Sequence, residues 1–202
     1  MFRLILGVLA LAVAALPAGA IEEPKYQVVR KVGAIEVRSY PAILVAETTV
    51  TGDFADAGDD AFRPLFGYIS GKNTKAQEIA MTAPVIQEGQ KIAMTAPVIQ
   101  EGKGGTYVVQ FVMPATFTLE TLPKPTDPKV SVREVPGRTV AVIRYSGRWT
   151  QSNYDENLAL LRAEMSKAGL TATGDPIWAR YDDPFTLWFN RRNEIMIPIA
   201  GV

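Results

Sequence analysis

Two methionines in near-identical surroundings are the first side chains here that invite a chemical reading. Met81 and Met94 stand in the doubled phrase EIAMTAPVIQEGQKIAMTAPVIQEGK, residues 78–103, whose two copies agree at 11 of 13 positions. A thioether is soft and adaptable, so it packs against flat apolar molecules and ligates soft metal ions. The chain has no His and no Cys. That removes zinc sites built on imidazole or thiolate, Ser-His-Asp and Cys-His nucleophiles, and any imidazole-held haem iron. A catalyst would have to rely on carboxylates or a phenol, such as Glu36, Glu194 or Tyr181, and no pair of these stands at a spacing that declares acid–base work. The chain is therefore read as a non-enzyme. Asp53, Asp56, Asp59 and Asp60 lack the Gly and distal Glu of a calcium loop and suit a helix N-terminus electrostatically, so no metal site is expected.

The elements that must position these groups follow from the apolar pattern. Residues 26–50 carry three strand signals: Tyr26, Val28 and Val29; the alternation Ile35-Glu36-Val37-Arg38; and the β-branched run Ile43 to Val50, with Gly33 and Pro41 as turns. Phe62, Leu65, Phe66 and Ile69 recur at i, i+3, i+4 and i+7, which predicts an amphipathic helix with that stripe as its apolar face. Asp59 or Asp60 would cap it, Pro64 would lie near its first turn and Gly71 would stop it. Tyr107 to Met113 is a further strand. After the Pro-rich connector 122–128 the pattern begins again, with strands at Val130–Val135 and Val140–Tyr145. A helix follows from about Asn153 to Lys167, with Tyr154, Leu158, Leu161 and Met165 inward, Ser152 or Asn153 as its cap and Gly169 as its end. Strands near Ile177–Tyr181 and Glu194–Ile199 close the chain. Strands, helix, strands thus occur twice, roughly 26–115 and 128–199, giving one α+β domain with antiparallel strands.

The doubled phrase reads as a hairpin turning at Gln87–Gln90, with Met81 opposite Ala96 and Ala83 opposite Met94. Ile79, Met81, Ala83 and Val85 then share a face with Ile92, Met94, Ala96 and Val98. That face is either core, the favoured reading, or the wall of a ligand cavity. Trp178, Tyr181, Phe185, Trp188 and Phe189, followed by Arg191 and Arg192, also allow two readings. The rings could stack a flat ring whose carboxylates the paired arginines hold, or, as favoured, the rings plug the core and the Arg-Glu run satisfies strand ends.

Met1-Phe2-Arg3, the uncharged run Leu4 to Leu16 and Ala18-Gly19-Ala20 have the make-up of a secretory signal peptide, too short to span a bilayer as a helix. Residues 1–20 are assigned to it, and 21–202 to one exported domain, periplasmic or secreted and without a stable membrane span. Without Cys that domain is stabilised by its core alone. Removing Arg3 leaves 20 Lys+Arg against 21 Asp+Glu, interspersed, and nothing points to nucleic acid.

The fragments EEPKYQVV, IEVRSY, FRPLFGYISGKN, KIAMTAPV, VQFVMP, LPKPTDPKV, RYSG, ARYDDPFT and RRNEI, in this order, resemble the SOUL haem-binding protein family over nearly the whole exported chain. The resemblance implies a distorted antiparallel β-barrel of two pseudo-symmetric halves with two α-helices packed on it, and kinship with effector-binding domains of bacterial regulators. It also implies binding of haem or another tetrapyrrole, or of another small flat hydrophobic ligand, in an apolar cleft beside the first helix. By position that cleft would use Phe62, Leu65, Phe66 and Ile69, with Arg63 for a propionate and Met81, Met94 and Tyr181 as further contacts. The chain departs from the family pattern in lacking the His axial ligand associated with some members. General binding of small apolar molecules is the alternative function. Export of the full chain from a bacterial host should yield a protein beginning at Ile21, which an intact-mass measurement reads directly.

Overall fold

The computed structural model describes residues 21–74 and 90–200. Eleven strands and two α-helices follow one another as β1 (Gln27–Val32), β2 (Ile35–Tyr40), β3 (Ile43–Thr51), α1 (Ala57–Ile69), β4 (Asn73–Thr74), β5 (Val98–Lys103), β6 (Thr106–Val112), β7 (Lys124–Pro125), β8 (Ser131–Val135), β9 (Arg138–Tyr145), α2 (Gln151–Lys167), β10 (Ile177–Arg180) and β11 (Asn193–Pro198). Nine strands form one antiparallel sheet in the order β1-β2-β9-β11-β10-β5-β6-β3-β8, curled into a half-barrel; β4 and β7 form a separate pair. The expected α+β class holds.

The two expected halves are visible as a near-palindrome about the β10–β5 seam. β3, β6 and β5 of the first half correspond to β9, β11 and β10 of the second, with one helix in each half. Each half lends an early strand to the other: β2 pairs with β9, and β8 pairs with β3. The strands alternate as the sequence predicts. In β2, Ile35 and Val37 join the core under α2, while Glu36 and Arg38 turn to the opposite face. The β9 run Val140-Ala141-Val142-Ile143 is apolar throughout because both its faces are covered.

Both helices lie on one face. α2 buries Tyr154, Leu161 and Met165, with Leu158 partly buried, as expected. Its cap is Thr150, whose side chain accepts from Asn153 N, so the helix starts slightly earlier than the sequence pattern suggested; Gly169, at φ +67°, ends it. The aromatic centre joins the halves: Phe54, from the loop before α1, stacks on Trp178 at 4.5 Å and lies 4.7 Å from Tyr154.

α1 differs from the expectation in two ways. It begins at Ala57 with Asp56 as cap residue, because Ala57 N donates to Asp53 O and the Asp59 and Asp60 amides donate to Asp56 O; Pro64 therefore sits inside the helix. Its buried stripe is Ala57, Ala61, Leu65, Tyr68 and Ile69, leaving Phe62 and Phe66 39% and 45% exposed. The cause is close approach: a Cβ on Gly58 would come within 2.4 Å of the Arg180 guanidinium, so the small residues of the first turns, rather than the large rings, meet the sheet. Gly71, at φ +115°, stops the helix as expected.

The doubled phrase is corrected in part. Its first copy, with Met81, lies outside the described residues. The second copy is irregular from Lys91 to Pro97 and becomes a strand only at Val98, and β5 is paired on one side with β6 and on the other with β10. The expected pairing of Met81 with Ala96 and of Ala83 with Met94 lies outside the described residues on its first-copy side.

The shifted helix phase is testable by unfolding in denaturant. Leu65→Ala should cost about 2–5 kcal/mol, because it empties a fully buried site, and Phe66→Ala should cost less than about 1 kcal/mol. Equal losses would restore the stripe read from the sequence.

Candidate functional site

The residues expected to line a cleft beside α1 do not share one surface. Leu65 and Ile69 are sealed into the core with Tyr68. Phe62 and Phe66 stand outward on the same helix, stacked on each other at 5.3 Å, with Phe62 edge-on to Phe111 of β6 at 5.7 Å and Arg63 exposed between them in sequence. Met94 is 42% exposed on the irregular stretch moored to α1 by the hydrogen bond from Ile92 N to Ile69 O. Tyr181 lies on the opposite face of the sheet.

That opposite face is built around Glu194, which has no exposed surface. Arg38 Nη1 donates to its Oε2 at 2.8 Å, Tyr181 Oη donates to the same oxygen at 2.9 Å, and Arg192 Nε donates to its Oε1 at 3.0 Å. Arg192 also grips Glu23 of the N-terminal arm, and the Arg38 guanidinium lies 4.3 Å from the centre of the Tyr26 ring. Burial works against the charge of Arg38, but the Glu194 carboxylate more than offsets it and raises its pKa. The arm and Pro41, Pro97 and Pro136 close over this face, leaving a void of about 20 Å³, room for roughly one water.

Open space lies elsewhere. Trp149, Phe185, Leu187 and Trp188, with Arg148 and Arg191, line an open groove of about 440 Å³ formed by the β9–α2 and β10–β11 loops. Phe185 is 93% exposed, and Leu187, Trp188 and Phe189 are each about half exposed or more. The favoured expectation that these rings fill the core is thus overturned; of that aromatic group only Trp178 is fully buried. The loop is held open by polar contacts: Asp183 Oδ1 accepts from the Phe185 and Thr186 amides, and Arg191 donates to the carbonyls of Pro184 and Thr186. The Arg191 guanidinium also lies 4.1 Å from the centre of the Trp149 ring. Arg148, 5.9 Å from the Trp188 ring, has an exposed side chain and makes no ion pair among the described residues.

Arg180 sits 6% exposed behind the groove, 5.1 Å from the Trp149 ring and 4.1 Å from the Trp178 ring, and donates to Gln100 Oε1 at 2.7 Å. Burial lowers its pKa to about 10, so it remains a cation at neutral pH. The sequence reading missed Arg148, Trp149 and Leu187 as site residues. A usable signal was present in the flanks, because the short run Phe185 to Phe189 is bounded by Asp182, Asp183 and Pro184 on one side and Asn190 and Arg191 on the other, which marks a loop rather than a core strand.

A second cleft, of about 640 Å³, lies among the N-terminal arm, the β2–β3 turn and the segment after β6. Its floor is apolar, with Ile43, Leu44, Val112 and Phe117, and its rim carries Glu22, Glu23, Glu120 and Glu134 against the single cation Lys25. Among the described residues no group of three or more carboxylates is placed to hold a metal ion.

The sequence signature described as SOUL heme-binding protein matches residues 21–198, and the chain belongs to that family. It is 26% identical over 184 residues to mouse Heme-binding protein 2, covering 88% of this chain and 86% of that protein. The human protein of the same name is 26% identical over 167 residues, covering 82% and 78%. In fold the chain is similar to the crystallised C-terminal domain of EcmrR, with a TM-score of 0.59 at 14% identity, covering 88% of this chain and 99% of that domain.

The buried phenols give a pH prediction. Burial raises the pKa of Tyr68, Tyr145 and Tyr181, and pushes Tyr154 from 10.0 up to about 12. The unfolded chain therefore loses these protons first, so the stabilisation is complete below pH ~10 and is lost as pH rises from ~10 towards 12. Chemical denaturation at stepped alkaline pH should show this fall, and Tyr154→Phe should make it shallower.

Proposed function

We propose that the protein is an exported, non-catalytic carrier or scavenger of haem or another tetrapyrrole, and that the ring lies in the groove of Trp149, Phe185, Leu187 and Trp188. The observation that carries this reading is an exposed aromatic groove with guanidinium groups at its edge on a chain of the SOUL heme-binding family. A tetrapyrrole of the haem type is a flat apolar disc with carboxylates along one edge. Tryptophan and phenylalanine supply contact area for the disc, and an unpaired arginine supplies a charge-assisted hydrogen bond for a carboxylate. Arg148 is free for that role, whereas Arg191 is mainly committed to shaping the loop. The stacked pair Phe62–Phe66 with Arg63 offers a second, smaller platform of the same chemistry on α1.

The donor set fits the ring better than it fits the iron. The chain contains no imidazole and no thiolate. Tyr68 Oη donates to Pro123 O and Tyr181 Oη to Glu194, and burial keeps both phenols protonated, so neither is poised to become a phenolate ligand. Met94 is the exposed thioether among the described residues. Binding should therefore depend on ring contact and carboxylate pairing, with metal-free protoporphyrin competing well against haemin. The larger cleft is a poor home for the same ligand, because its rim of carboxylates repels propionates.

Haemin and protoporphyrin titrations followed by absorbance test the reading. Saturable binding of both is expected, and Phe185→Ser with Trp188→Ser, or Arg148→Glu alone, should weaken it by roughly tenfold or more. Unchanged affinity in those variants, together with loss in Phe62→Ser with Phe66→Ser, would move the ring to α1 and overturn the groove assignment. Equally tight binding of unrelated apolar dyes at the groove would replace tetrapyrrole carriage with general apolar capture.

A further inference from the structure

The larger cleft has a charge opposite to that of the aromatic groove, and its carboxylates are not all used by the fold. Glu23 is paired with Arg192, and Glu22 Oε1 accepts from Ala115 N, so these two anchor the N-terminal arm that forms one wall. Glu120 and Glu134 have exposed side chains and make no ion pair among the described residues. Hydrogen bonds from Thr118 and from its own backbone amide hold the Glu120 carboxyl below the usual range, so it is anionic at neutral pH.

Beneath these carboxylates lie Ile43, Leu44, Val112 and Phe117, with Leu119 exposed at the margin. At about 640 Å³ the space lies within the range of pockets that enclose small organic ligands, which are mostly apolar with a few convergent polar groups. We infer that this cleft binds an amphiphilic organic cation, its apolar body against Ile43, Leu44 and Phe117 and its positive charge between Glu120 and Glu134. Charge complementarity selects that class: an anion meets four carboxylates and one lysine, and a neutral apolar molecule leaves the carboxylates without a partner. The inference concerns residues outside the aromatic groove and does not rest on tetrapyrrole carriage there.

Crystal violet, a lipophilic triaryl cation, is a suitable probe, with the anionic dye anilinonaphthalene sulfonate as its counterpart. The purified protein should saturate with crystal violet, more weakly as salt is raised, and should take up the anionic dye at least tenfold less tightly at this site. Glu120→Gln with Glu134→Gln should weaken crystal violet about tenfold or more, and should leave haemin binding and thermal unfolding unchanged, since both side chains are exposed. Leu119→Ser should weaken the probe independently of charge. Equal binding of crystal violet to the double variant would overturn the inference. So would loss of the probe on Phe185→Ser with Trp188→Ser, which would place the cation in the aromatic groove instead.

Discussion

Glu194 carries a carboxylate that the fold has withdrawn completely from water, and much of the protein's charge distribution follows from satisfying it. Removing such a group from solvent costs several kcal/mol unless opposite charge and hydrogen bonds compensate. Arg38 from β2, Arg192 from the loop before β11 and the Tyr181 hydroxyl do so. Because β2 belongs to the first half of the chain and β11 to the second, the same contacts tie the halves together across β9. Arg192 and Arg38 also draw in the N-terminal arm through Glu23 and Tyr26, and this closes the opposite face of the sheet.

That closure leaves little open space on the opposite face among the described residues. Among these residues that face holds a void of about 20 Å³ and the helix face is packed by α1 and α2, while two larger spaces lie at the margins of the sheet. One margin is the groove of the β10–β11 loop, rich in indole and phenyl surface and edged by arginine. Another is the cleft of the N-terminal arm, apolar below and acidic at the rim. The two differ in charge: among the described residues Arg148 makes no ion pair at the groove, and Glu120 and Glu134 make none at the cleft.

α1 shows how a helix turns its largest rings outward. Leu65 and Tyr68 still seal the core, but Ala57, Gly58 and Ala61 form the contact nearest the sheet, and Arg180 packs against Gly58. A bulkier residue there would push the helix off the guanidinium. Phe62 and Phe66, one position round from Ala61 and Leu65, are left at the surface, where they stack on each other.

Much of this architecture was legible in the amino-acid order. Alternation in Ile35–Arg38, the doubly apolar run at Val140–Ile143 and the 3.6-residue rhythm of Tyr154, Leu158, Leu161 and Met165 are local patterns, and local patterns select local backbone geometry; the duplication of strands, helix and strands followed from them. Composition was equally decisive about chemistry, since a chain without His or Cys cannot form the sites that need them. What sequence order could not supply was the identity of distant neighbours. Whether Phe66 or Tyr68 faces inward depends on Arg180 reaching α1 from β10, more than a hundred residues on. That Phe185 and Trp188 stand in solvent goes with Trp178 and Phe54 occupying the centre. Burial is a property of the packed whole, so the choice among several apolar side chains of which become core and which become surface was made only when the sheet closed around Trp178.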